Sequence, residues 1–131
     1  MTPVPPPEVA AAFAALPDEI RPTLDRLRAL IFAVAEAQAA TPLKETLRWG
    51  QPAYLAPKGS TLRLGLANTG EAALFVTCST NLIDSYRHIA PEGTRFEGNR
   101  AVLVGRRDKV DEAALAPLIA RALTYQRRPA A

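Results

Sequence analysis

"TLRLGLANTGEAALFVTC", residues 61–78, decides the fold class. Leu62, Leu64 and Leu66 alternate with smaller or polar residues, the period of a strand with one buried face. Asn68, Thr69 and Gly70 supply turn chemistry. Ala72 to Cys78 is apolar on both faces, which predicts a central strand. Strands joined by so short a loop are antiparallel.

Upstream, "TLRW" alternates, so Leu47 and Trp49 are expected on one face and Arg48 on the other. Gly50 and Pro52 then bend the chain, and "APKGS" reads as a loop. Further back, Ile20, Leu24, Leu27, Ile31 and Val34 recur on one helical face, with Asp18 placed to cap and Arg21, Asp25, Arg28 and Glu36 largely off the stripe. That helix should end before Thr41-Pro42. "EVAAAFAAL" predicts a short helix stopped by Pro17, and the four prolines of residues 1–7 predict an extended, loosely held, flexible N-terminus.

Downstream, "STNLIDSYRHIA" predicts a short helix capped by Ser79 or Thr80, with Leu82, Ile83, Tyr86 and Ile89 inward. In "RFEGNRAVLV", Gly98-Asn99 reads as a two-residue hairpin turn that sets Glu97 opposite Arg100. Asp111 caps a last helix, Val110 and Leu115 can form its hydrophobic staple, and Pro117 should kink it or break off its first turn. The fold class is α+β: an antiparallel sheet of about five strands against N-terminal and C-terminal helices. A parallel βαβ fold lacks the regular alternation it needs.

The 131 residues fit one domain, spanning residues 8–128 after the Pro-rich start. No apolar run approaches the roughly 18 to 20 residues of a membrane helix, so no membrane partner is expected. One cysteine allows no internal disulfide and favours a reducing compartment; a cytoplasmic location is the expectation. The charge is +3, spread along the chain, with no basic block longer than Arg106-Arg107-Asp108-Lys109 or Arg127-Arg128. A nucleic-acid binder gathers its charge on one face, so scattered arginines argue against that partner.

"ETLRWGQPAY" carries a family resemblance. With Leu16-Pro17-Asp18-Glu19 leading into the long helix and Trp49-Gly50-Gln51-Pro52-Ala53-Tyr54 as a corner, the chain resembles the YdhG-like family of small bacterial domains. Residues 95–104 fit that family's C-terminal strand and turn. The resemblance implies a helix-flanked antiparallel sheet. Some relatives are described as frataxin-like iron chaperones, which need exposed carboxylates. Here Arg21, Arg26 and Arg28 interleave the acids of the first long helix.

His88 is the sole histidine and has no Cys or His at ligand spacing, so no metal site and no cofactor are expected. Cys78 reads as a small apolar filler, and no Ser elbow, phosphate loop or nucleophile–base pair is present; no catalytic residue is assigned, and the chain leans away from being an enzyme. The corner is left. Trp49 and Tyr54 are expected first as core, with Trp49 largely buried. A cleft there would use Arg48, Trp49, Gln51, Tyr54 and Arg63, joined by Asn99 and Arg100 if the C-terminal hairpin pairs nearby. The expected role is a binding or accessory module for a small anionic or polar ligand or a protein partner. Iron delivery is the first alternative and weak nucleic-acid binding through Arg side chains the second.

Overall fold

The computed structural model describes residues 2–77, 79–105 and 110–126. Ten elements follow in order: α1 (Pro7–Ala14), α2 (Arg21–Ala37), β1 (Lys44–Arg48), β2 (Gln51–Leu55), β3 (Leu62–Leu66), β4 (Ala72–Val76), α3 (Leu82–Arg87), β5 (Arg95–Glu97), β6 (Ala101–Gly105) and α4 (Glu112–Leu123). The strands form one antiparallel sheet in the order β1-β2-β3-β4-β6-β5, six strands rather than about five. The apolar run at residues 72–76 is central, and all five of its residues are buried.

One sheet face carries Tyr54, Leu62, Leu64, Leu74, Val76 and Val102 into a core shared with α1, α2 and α4. The predicted α2 stripe lies in that core: Ile20, Leu24, Leu27, Ile31 and Val34 are all buried. Val110 and Leu115 join it at the start of α4, where the Asp111 side chain accepts from the Ala114 amide at 3.1 Å. The loop before β3 is pulled onto the end of α4. A Cβ on Gly59 would meet the Leu123 carbonyl oxygen at 2.7 Å, so only glycine fits there.

Several expectations are corrected. Arg28 is buried rather than off the stripe, because a carboxylate faces it across the core. Asp18 does not cap α2; it pairs with Arg21, and the cap position is Ile20. The N-terminus is not loosely held at Pro3, whose carbonyl accepts from the Arg28 guanidinium at 2.6 Å, and the first helix starts at Pro7. Ile89 lies past the end of α3 and is exposed. Pro117 sits inside a continuous α4 and does not break it. The β5–β6 connection has three residues, since Glu97 pairs with Ala101. The Arg100 amide donates to the Glu97 carbonyl at 3.2 Å, and the Glu97–Arg100 ion pair forms within this loop instead of across strands. Cys78 and the Arg106–Lys109 and Arg127–Arg128 stretches lie outside the described residues.

Candidate functional site

The β1–β2 hairpin turns on two residues, Trp49 and Gly50, between the paired Arg48 and Gln51. Both central residues have positive φ, 55° and 74°, as a type I′ turn requires. Glycine meets that demand at no cost; a bulky residue at positive φ is an outlier. The expected burial of Trp49 is therefore overturned: its side chain is 91% exposed. The reason is local. The strand ends at Arg48, so the alternation that places Leu47 against the core does not continue to residue 49.

The face opposite the helices is built differently. Alternation and register put Lys44 and Arg48 of β1, Gln51 and Ala53 of β2, Arg63 and Gly65 of β3, Ala73 and Phe75 of β4, and Ala101 and Leu103 of β6 on it. Its small apolar cluster of Ala67, Ala73, Phe75 and Ala101 contains no helical residue. Long polar side chains cover this floor instead. The Gln51 side chain lies over Gly65, where a Cβ would come within 2.5 Å of its Nε2. Gln51 Oε1 accepts from Arg63 at 2.7 Å. The Arg63 guanidinium sits 5.5 Å from the centre of the Phe75 ring, and Arg100 sits 5.6 Å from the same ring.

A pocket of about 230 Å³ opens on this face, lined by Arg48, Trp49, Thr61, Arg63 and Thr77. It offers two guanidinium groups, two hydroxyls and one aromatic ring, with no carboxylate among its lining residues. Arg48 makes no ion pair among the described residues. Such a set suits an anion: guanidinium forks bind carboxylate or phosphate oxygens, and a flat ring can stack on the indole.

The structure thus brings Arg48, Trp49, Gln51, Arg63 and Arg100 to one face, and leaves two expected residues elsewhere. Tyr54 points to the helix side and is fully buried. Asn99 is at the tip of the other hairpin, its side chain 3.5 Å from Arg87.

Tyr54 belongs to a buried network that the sequence reading missed. Its hydroxyl donates to Glu45 Oε2 at 2.8 Å, while Arg28 grips both oxygens of Glu45 at 2.6 and 2.8 Å. Phe32 stands edge-on to the Tyr54 ring at 5.9 Å and lies under the Arg28 guanidinium at 4.9 Å. Burial and the adjacent Glu45 carboxylate push the Tyr54 hydroxyl well above the ordinary tyrosine range. The hydrogen bond to Glu45 raises Arg28 as well. Glu45 on β1 and Tyr54 on β2 are direct register partners, so the network clamps the root of the hairpin to α2. The available signal was Glu45 alternating onto the same face as Leu47.

Two other hollows carry less chemistry. One of about 360 Å³ beside α2 is mostly apolar, with Phe32, Leu43 and Glu36 in its wall. Another of about 220 Å³ lies between β6 and α4, where the Tyr86 hydroxyl already donates to the Ala114 carbonyl at 2.6 Å. Among the described residues, no three His, Cys, Asp or Glu come together as a metal site. Among the described residues, no helix is long and apolar enough to cross a membrane. Comparison with known proteins finds no matching family model, no matching curated protein and no matching solved structure.

Proposed function

We propose that the chain is a binding module of the YdhG-like kind, and that the Trp49 hairpin tip with the neighbouring open sheet face recognises a small anionic ligand bearing a flat ring. The observation that carries this reading is Trp49 itself: a large apolar side chain, 91% exposed, held at positive φ beside Arg48. Burial does not explain the residue, and its backbone conformation costs stability. Strain of that kind collects where a side chain is needed for recognition. The two arginines and two threonines beside it supply the polar half of a site. Iron delivery is not the reading favoured here, because it calls for a cluster of carboxylates and the site is cationic.

Trp49 is the only tryptophan, so its emission reports on the site directly. Titration with benzoate, phenyl phosphate and uridine monophosphate should quench or shift that emission for at least one of them. Arg48→Ala should abolish the change while altering folding stability by no more than about 0.5 kcal/mol. An emission that none of the three moves at millimolar concentration, or a response untouched by Arg48→Ala, would sink the proposal.

A further inference from the structure

Five basic side chains, scattered in sequence, are brought together in space. Lys44, Arg48, Arg63 and Arg95 project from the open sheet face, and Arg100 reaches it from the β5–β6 turn. Two of the described carboxylates share the face, and both are engaged there: Glu71 with Arg95 at 2.5 Å and Glu97 with Arg100 at 2.5 Å. The other described carboxylates lie on the helices, in loops or at the buried Glu45. Among the described residues, the open face therefore carries more positive than negative charge.

Its cations form a track rather than a point. Arg48 on β1 and Arg63 on β3 are two strands apart, about 10 Å at the usual spacing between strands. Arg63 and Arg100 share the Phe75 ring, which carries the track across β4 to the β5–β6 turn. Trp49 stands at the β1 end with its indole open to solvent. One bound phosphate would use a single station of this track. A chain of phosphates with flat bases attached would use all of it.

We infer that the open sheet face binds single-stranded nucleic acid, with a base stacked on Trp49 and the backbone passing Arg48, Arg63 and Arg100. This rests on the binding reading above and names its ligand class. The physical basis is the usual one for single strands: a cationic surface follows the backbone, and an exposed aromatic ring takes an unpaired base by stacking. A duplex hides its base faces from Trp49. An acidic peptide supplies charge but no ring to stack. A bilayer calls for several apolar side chains at the tip, whereas Trp49 is flanked there by Arg48, Gly50 and Gln51.

The test uses the full chain and a labelled oligouridylate of about twelve nucleotides, a length within the range that single-strand-binding folds cover. Anisotropy and Trp49 emission are read together over a salt series. The expected result is binding at low salt with quenching of Trp49. Trp49→Ala should weaken it at least tenfold, and Arg48→Ala and Arg63→Ala several-fold each. Each arginine lost should make the log–log salt slope shallower by about 0.7. Arg121→Ala, the same charge change on α4, should leave the affinity within twofold. Circular dichroism checks that each variant is folded. Equal binding of a duplex, or an equal loss with Arg121→Ala, would overturn the inference. So would a response to anionic phosphatidylserine vesicles with none to the oligomer. Uridine monophosphate binding as tightly as the oligomer would overturn it too, yet leave the small-ligand reading standing. Silence toward the oligomer and every small anion would remove both.

Discussion

The two hairpins at opposite edges of the sheet are braced in opposite ways. In β1–β2 the root is fixed and the tip is free. Glu45 and Tyr54, paired across its strands, are bonded to each other, and Glu45 is held in turn by Arg28, while the turn presents Trp49 to solvent. In β5–β6 the first strand is short and the tip is tied. The Glu97 carboxylate accepts from the Asn68 amide at 2.8 Å and from Arg100 Nε at 2.8 Å. The Arg100 carbonyl accepts from the Val76 amide at 2.7 Å, and the Gly98 carbonyl from Arg87 at 2.8 Å. A tip held by its neighbours serves the fold. A tip standing clear of them, on a root that cannot shift, can be given to recognition.

Removing the brace at the first root should have the largest effect. Glu45→Ala leaves the Arg28 guanidinium buried without its carboxylate, and loss of one partner of a buried pair costs about 3–5 kcal/mol. Urea unfolding measures it. A loss under about 1 kcal/mol would mean that water replaces Glu45 and that the root is not clamped.

At the second tip the next effect is expected. Gly98 has a φ of 53°, and nothing lies within 4 Å of where its Cβ would be. Gly98→Val therefore meets backbone strain alone, about 1–2 kcal/mol for an L-residue in the left-handed region. An unchanged melting temperature would show that the loop relaxes to another turn.

The sheet and the helical core were legible because their signals are repetitive. Residues 61–76 alternate or run apolar over strand-length segments, and the α2 stripe repeats over several turns. The turns were misread because a single neighbour decides them. Gly98-Asn99 looks like a two-residue turn, but Val76 claims the Arg100 carbonyl and Asn68 claims the Glu97 side chain, which fixes a three-residue loop. Trp49-Gly50 lacks the usual first turn residue, yet the Arg48–Gln51 pairing forces two residues to reverse the chain. The register of strands paired at their roots overrode local propensity. The candidate site was half legible for the same reason. Arg48 and Gln51 are close in sequence, whereas Arg100 reaches the face only through β6 pairing beside β4.

Relieving the first tip tests the division of labour with a gain. Trp49→Asn places a residue that tolerates positive φ where a bulky one now sits. Stability should rise by about 0.5–1 kcal/mol, read as a higher denaturation midpoint, while the emission signal and ligand response disappear. A loss of several kcal/mol would restore Trp49 to the core and remove the contrast between the hairpins.

The smallest effect is expected from the acid titration of Glu97. The Asn68 amide, aided by Arg100, holds its carboxyl below the ordinary value of 4.5 against a partial loss of hydration. A group whose pKa is lower folded than unfolded adds stability that is present above the unfolded value and fades as pH falls through the folded one. Glu97→Gln should therefore lower the urea midpoint slightly at neutral pH. The difference should shrink as pH drops below 4.5, where the native carboxyl also becomes neutral. Added salt should shrink it as well, since the Arg100 side chain is about half exposed and its charge is screened. A midpoint difference that stays constant from neutral to acid pH would show that Glu97 braces the tip through packing alone. The second hairpin would then owe its tied tip to the Val76 and Arg87 hydrogen bonds.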